Sequence, residues 1–520
     1  MPLLFGREGE HAVNVVLRKG YKGEAPSEDE CIGAMQALLI ERFGAVQFGS
    51  FLGRMSVADT LKILRGSEDE YGFKTLVMQG IYLPALGRFY REVLNEYFEV
   101  STILCSDPFD LYRLVRRGEK IIGHLARQLS GQNYTIQCHN SVSDRKGIHA
   151  NSCGMHGNHF RSRDLFERVM RRPQRVTQDF ISFLVLRPIL MGEGKIGADR
   201  GREDTFYQIS ARTDFEDYLM GEGTAYQRPL INTRNESHAD WSNYSRFHVI
   251  NSEGNRSPWA LAFDLGLTSI FLAALDDGAI DLGWYLEYPV DTLHKISRDL
   301  LFKEEHPVID RVTRSASSKK ALDMLAEILR QLELYVAQRS GLPAWCGKLV
   351  GEAQELVDLL KAGDYRRAQR MLDWAIKLKF IEEYAERHLN IDLDLEESWS
   401  HIKIKALDIG YHHIHDEWVW RAVKEWRDVR DADKYDPSDD GITNFWSWSD
   451  EEPKDSRNYL LWLMLRNPYL RNRTRIMDWE FIKFGEKNPW DADTFCLKDP
   501  QYFNRAYLSE LLQGDFDFST

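Results

Sequence analysis

The chain has 520 residues, 43% hydrophobic and 28% charged, a mean hydropathy of -0.44 and a net charge of -13. That length predicts two or three packed units rather than one core. The acidic balance excludes a general nucleic-acid binder, and no apolar run approaches the ~18 residues a bilayer span needs. Six scattered cysteines (Cys31, Cys105, Cys138, Cys153, Cys346, Cys496) suit a reducing cytoplasm better than a disulfide framework. The start, MPLLFGREGEH, lacks the basic and apolar regions of a signal peptide.

In chain order, residues 3–17 read as a strand interrupted by Gly6-Arg7-Glu8-Gly9-Glu10-His11. Residues two apart in a strand share a face, so Glu8 and Glu10 point the same way. Neighbouring carboxylates repel unless a cation lies between them, which makes this strand a candidate Mg²⁺ edge; a solvated strand face is the plainer alternative. Ser27-Glu28-Asp29-Glu30 is a capping box opening a helix to about Phe43. An insertion over about 45–85 with a short helix at 57–65 comes next, before a strand at Gly87–Glu92. Glu96, Tyr97 and Glu99 then form a second carboxylate-rich segment, and residues 107–130 a helix.

Residues 134–160 hold His149, Cys153, His156 and His159 at spacing resembling a zinc site, but with a single cysteine among them. A strand near Gly154–His159 explains them more simply. Thr177–Leu190 and Trp259–Asp276 read as core helices, and residues 319–340, 350–362 and 364–388 as three more, broken at Gly341-Leu342-Pro343 and Gly363. His412, His413 and His415 form another histidine cluster, explained without a metal by a helix or loop at an acidic surface. Residues 431–457 are acidic and turn-rich, and 470–520 form a small unit.

Between them, Tyr207–Asn255 carries Arg212, Arg228, Arg234, Arg246, His238 and His248. Pro229–Asn232 and Phe247–Ile250 read as two strands of a basic hairpin. Such a hairpin suits a polyanion, because arginine offers fixed forks to phosphate or carboxylate; a surface hairpin with internally paired charges is the alternative.

Within this stretch, Ser210-x-Arg212-x-Asp214, Arg228-Pro229-Leu230-Ile231-Asn232-Thr233-Arg234 with His238-Ala239-Asp240, and Tyr244-Ser245-Arg246-Phe247-His248-Val249-Ile250 resemble S-x-R-x-D, R-P-I-I-N-T-R-D-E-P-H-A-D and Y-R-R-L-H-V-I. These are motifs of the Pup ligase and Pup deamidase (depupylase) family, relatives of glutamine synthetase and the glutamate–cysteine ligases. Gly6-x-Glu8-x-Glu10, Gly154-Met155-His156-Gly157-Asn158-His159, Leu372-Asp373-Trp374-x-x-Lys377, Leu407–His412 and Ser456-Arg457 resemble further family motifs in the same order.

The resemblance implies an α+β fold, a curved antiparallel sheet of glutamine synthetase / carboxylate-amine ligase type backed by helices. Residues 1–430 would form the catalytic domain, with a helical section at about 319–390, and residues 431–520 a small C-terminal domain completing the nucleotide site. It implies ATP and Mg²⁺ as cofactors, with Glu8, Glu10, Glu96, His156 and His248 at the metal. Arg234, His238, Asn255 and Arg457 would hold the nucleotide, and Glu92, Arg212 and Arg246 would be catalytic. The implied partners are a small Pup-like protein modifier and a lysine or other amine acceptor, joined by an isopeptide bond in the cytoplasm.

Three positions depart from the family pattern. Glu92 stands where the family has a catalytic aspartate, Gly157 replaces the glutamate of H-E-N, and the P-E after E-Y is missing unless Glu99 substitutes from a shifted register. Two alternatives stay open: a hydrolase that cleaves the isopeptide bond or deamidates a C-terminal glutamine, to which the insertion at 45–85 points, and a nucleotide- and modifier-binding protein with reduced turnover.

Overall fold

The computed structural model describes residues 1–43, 57–65, 74, 77–78, 80–83, 86–92, 97–141, 152–171, 174–200, 202, 205–224 and 228–435, with three short strands at 474–477, 481–484 and 493–496. A thirteen-residue strand, β1 (Phe5–Leu17), is its axis. One edge of β1 pairs with β4 (Tyr97–Thr102), which leads through β3 (Gly87–Arg91) to β2 (Ile81–Leu83). The other edge is shared: the C-terminal half takes β5 (Tyr134–His139) and the N-terminal half takes β6 (Met155–Ser162). Last, β11 (Tyr244–Val249) pairs with β6, completing a seven-stranded antiparallel sheet.

Strand alternation gives this sheet two unlike faces. Val13, Phe89, Phe98, Val100, Ile136 and Cys138 point to one side and pack against the helices Glu28–Phe43 and Pro108–Leu129. Glu8, Glu10, Tyr90, Glu99, Ser101, His156, Asn158 and His248 share the opposite face through the registers Glu8↔His156, Glu8↔Ser101, Glu10↔Glu99, Tyr90↔Glu99 and His248↔Asn158. The expected capping box starts the first helix: Glu30 Oε2 accepts from the Ser27 N–H at 2.8 Å and the Glu30 N–H donates to Ser27 Oγ at 3.2 Å.

A larger core lies around the helices Arg175–Leu186, Pro258–Asp276, Ala321–Gln338 and Ala344–Lys361. The expected breaks hold, with Gly341 at φ +84° and Gly363 at φ +75°. Pro258–Asp276 is apolar over 19 residues, longer than the sequence reading allowed, but it is wholly buried inside the protein. No disulfide joins the five cysteines among the described residues.

The expected basic hairpin does not form. Strand β10 (Arg228–Asn232) pairs in parallel with β9 (Glu216–Gly221), while β11 pairs with β6. The intervening segment is no tight turn: Asp240 accepts from the Ser242 N–H and Oγ at 3.1 and 2.7 Å, folding the chain back onto β6 instead of onto β10. The assumption that sequence-adjacent strands pair was the error.

Two glycines of the helical layer test its packing. A Cβ at Gly123 would collide with the Ile414 carbonyl, whereas one at Gly351 meets nothing within 4 Å. Gly123→Ala is expected to lose about 1–3 kcal/mol in urea unfolding by overpacking. Gly351→Ala is expected to gain roughly 0.5–1 kcal/mol from helix propensity.

Candidate active site

Glu8 is the centre of the open face. His156 Nδ1 lies 3.4 Å from Glu8 Oε2 and His248 Nε2 lies 3.3 Å from the same oxygen. Arg246 donates to Glu8 Oε1 at 3.1 Å, to Asn158 Oδ1 at 2.7 Å and to Glu236 Oε2 at 2.7 Å. Among the described residues, Glu8, His156 and His248 are the one group whose ligand atoms lie close enough, within 4.8 Å of one another, to hold a metal ion.

Burial would raise the Glu8 pKa, but hydrogen bonds from His156 and His248 outweigh it and hold the carboxyl well below its usual range. Burial pushes His156 down to about 4 against the pull of Glu8, and it lowers His248 too. At neutral pH the trio is therefore one carboxylate and two neutral imidazoles, the protonation states that donate lone pairs to a cation. The buried His156 Nε2 has no hydrogen-bond partner, as expected of an atom left for a ligand.

Beside the trio lies a second group of acids. Glu10 is buried, accepts from the Gly154 N–H, and has its pKa raised by burial. Glu99, directly across the strand pair, is raised well above its usual value by burial and then by the charges of Glu8 and Glu10. Glu92, at the end of β3 with its N–H on Tyr97 O at 3.0 Å, is close enough to raise both. Carboxylates crowded this way bind hard divalent cations, which relieve the repulsion and take oxygen ligands. The donor set fits Mg²⁺ or Mn²⁺ at the carboxylate-rich side, and the two imidazoles favour the transition metal.

A cleft of about 80 Å³ continues from this face, lined by Gly6, Glu8, Ser101, Asn158, His238 and Arg246. His238 is held at φ +49° at its rim, a left-handed conformation that re-aims the chain after Ser237.

Behind the acids, the buried Arg212 and Arg228 clamp the segment that enters β6. Arg212 donates to Cys153 O and, at 2.7 Å, to Ile250 O; Arg228 donates to Ser152 Oγ at 2.7 Å and Ser152 O at 3.0 Å. That fixes the backbone whose next N–H, at Gly154, holds Glu10. Near the guanidiniums lies Glu216, buried with neither oxygen hydrogen-bonded and pushed up to about 7 by burial against the pull of Arg212, Arg228 and Arg187.

With this geometry established, comparison with known proteins decides the family. A family model described as Pup-ligase protein matches residues 4–435. The chain belongs to the Pup-ligase family. Among relatives, a depupylase of Acidothermus cellulolyticus is 31% identical over 61% of this chain and 59% of its own length. A Pup–protein ligase of Corynebacterium kroppenstedtii is 28% identical over 84% of this chain and 89% of that one. Of solved structures, the complex of the modifier Pup with its ligase PafA superposes with a TM-score of 0.72 at 20% identity, covering 98% of this chain and 92% of that one. The expected α+β architecture of glutamine synthetase type is therefore the fold.

Of the expected site residues, Glu8, Glu10, His156, His248 and Arg246 converge on one face, with Glu92 at its edge. Glu96 and Arg457 lie outside the described residues, as does His149. Arg234 is on the segment after β10, bonded to Glu222 O at 3.2 Å and Thr224 Oγ1 at 3.4 Å. Asn255 is apart from the cleft, its amide donating to Met191 O at 2.7 Å and Asp373 Oδ2 at 3.4 Å inside the helical layer. The zinc alternative fails for a simple reason: His159 and His156 are three apart on one strand and face opposite sides.

The sequence shows Glu99 in a carboxylate-rich segment and as a shifted substitute, without its place opposite Glu10, and does not single out Tyr90, Asn158 or Glu216 as site residues. The cross-strand registers Glu10↔Glu99 and Tyr90↔Glu99 supply the missing signal, since pairing cannot be read from one strand alone.

His159, on the far face, gives a pH test free of the acid cluster. Both its ring nitrogens are buried without partners, and burial holds its pKa well below 6.5. The unfolded chain therefore binds a proton that the folded one refuses, so stability present above pH 6.5 is lost as pH falls. Between pH 6 and pH 5, urea unfolding of the native protein is expected to lose about 1.4 kcal/mol per pH unit more than that of His159→Phe.

Proposed function

We propose that the protein is an ATP- and Mg²⁺-dependent ligase that activates a glutamate side-chain carboxylate of a Pup-like modifier and joins it to a lysine amine. The observation that carries this reading is the convergence of Glu8, His156, His248, Glu10 and Glu99 beside Arg246, on the open sheet face of a chain in the Pup-ligase family. PafA, a relative in fold, has been solved with ADP and with Pup.

Glu8, His156 and His248 would hold one divalent cation, with Glu10 and Glu99 offering oxygens beside it. The bound cation would neutralise phosphate charge as ATP's terminal phosphoryl group leaves. Arg246, already fixed by Glu8, Glu236 and Asn158, presents a preorganised guanidinium to an oxyanion in the cleft. Glu92, raising the charge density beside Glu10 and Glu99, would take the proton from the incoming lysine ammonium. Arg212, expected at a phosphate, is better read as a positioning residue, because it is buried behind the acids, holds Cys153 O and Ile250 O and does not line the cleft, whereas Arg246 does. We place Arg234, His238 and Arg457 at the nucleotide, with residues 431–520 closing its site. A cytoplasmic setting accompanies the reading.

The depupylase relative supports hydrolysis of the same bond as a second reading. One assay separates them. With ATP, Mg²⁺, a Pup ending in glutamate and a lysine-bearing protein, ligation produces ADP, inorganic phosphate and a conjugate. A hydrolase instead leaves these apart and cleaves preformed conjugate. Glu92→Ala is expected to slow modifier-dependent ADP formation by about 10²-fold or more; unchanged turnover would remove Glu92 from the base role. Independently, Glu8→Gln is expected to weaken Mn²⁺ binding, read by electron paramagnetic resonance, by about tenfold or more, and to lower the melting temperature without metal, because the ionised carboxylate that His156, His248 and Arg246 favour in the folded chain is lost.

A further inference from the structure

Away from the sheet, a groove of about 1050 Å³ runs between the helix Asp373–Tyr384 with its extension to Leu389 and the segment that follows it. It merges with a second hollow of about 290 Å³, since Phe206, Glu396 and Trp399 line both. Its floor is apolar: Phe206, 44% exposed, packs at 5.2 Å between ring centroids on the buried Trp399, with Leu393 alongside.

The rim is acidic. Glu386, Asp392, Asp394 and Glu396 line the larger hollow, no lysine or arginine does, and none of the four has an ion-pair partner among the described residues. In the stretch Ile391-Asp392-Leu393-Asp394-Leu395-Glu396, acids alternate with apolar residues, and the Trp399 indole pins its backbone by donating to Leu393 O at 3.0 Å. Here the carboxylates ring a hydrophobic floor. Long-range attraction from the rim and burial on the floor act on one kind of partner together.

We propose that this groove docks a basic segment of a partner protein, one in which lysine or arginine alternates with apolar side chains. The inference is independent of the reaction proposed above, because none of these residues belongs to the cleft on the sheet.

The test uses the full-length protein and a fluorescein-labelled peptide of about eight residues alternating lysine and leucine, read by anisotropy. Saturable binding is expected, weakened about tenfold or more by Asp392→Lys/Asp394→Lys/Glu396→Lys and about threefold or more by Phe206→Ala. The neutral pair Glu386→Gln/Glu396→Gln, milder for folding, is expected to weaken it about threefold. A glutamate–leucine peptide of equal length should not bind. The proposal is overturned if the groove variants bind as the native protein does. It is equally overturned if Glu287→Lys/Glu304→Lys/Glu333→Lys, outside the groove, weakens binding as much, which would mean diffuse charge attraction only.

Discussion

The carboxylate of Glu8, held between two neutral imidazoles and one guanidinium, is the interaction on which the open face depends. It requires β1 to lie at the middle of the sheet, since the imidazoles come from β6 and β11 on one side and the neighbouring acid from β4 on the other. Alternation then does the sorting: the residues that would hold a cation face outward, and their odd neighbours Val13 and Phe5 enter the two cores. Slipping β1 by one residue against β4 and β6 would exchange these sets, placing carboxylates against the helices.

That arrangement needs support from behind. Gly154 must lack a side chain, because a Cβ there would strike the Glu10 carboxylate and come within 2.8 Å of His156 Nε2. Arg212 and Arg228 hold the preceding carbonyls, and the buried Glu216 lies within electrostatic reach of both. Deeper still, the resembling motifs of the helical layer form one polar network. Asp373 accepts from the Arg256 and Ser257 N–H groups at 3.1 and 3.0 Å and from the Tyr411 hydroxyl. Lys377 donates to Gly194 O at 2.7 Å and Asp408 Oδ1 at 2.9 Å and lies 2.9 Å from His412 Nε2. These motifs anchor the helices to the loops leaving the sheet, which explains their presence far from the cleft.

Much of this was legible in the sequence, for a physical reason. Glu8 and Glu10 are two apart on a strand, so their common face follows from the backbone period alone, and the capping box at Ser27 is a local contact. The basic stretch Tyr207–Asn255 was legible as a site by its motifs but not by its geometry. Its two strands pair with β9 and β6 instead of each other, and Arg212 and Arg228 turn inward to carbonyls. What escaped reading, the place of Glu99 opposite Glu10 above all, depends on which strand lies beside which, and a single sequence carries no direct record of that. The histidines at 412, 413 and 415 were read as serving structure, and His412 Nδ1 indeed lies 2.9 Å from Asn140 Oδ1, joining the helical layer to the end of β5.

The same crowding that prepares the open face for a cation also works against the folded chain. Glu10 and Glu99 hold their protons more tightly than free carboxyls because each is buried and close to other acids. A cation bound at Glu8 would lower both, so its arrival and the release of protons are one event. It would also relieve the repulsion bearing on Glu92, the proposed base, whose longer reach than aspartate must be met by a partner that can adjust. A flexible lysine meets that condition better than a water held in tight geometry, because a misplacement of about 1 Å costs a fixed nucleophile roughly a hundredfold. Glu92 in place of the family's aspartate is therefore a change that ligation would tolerate more readily than hydrolysis.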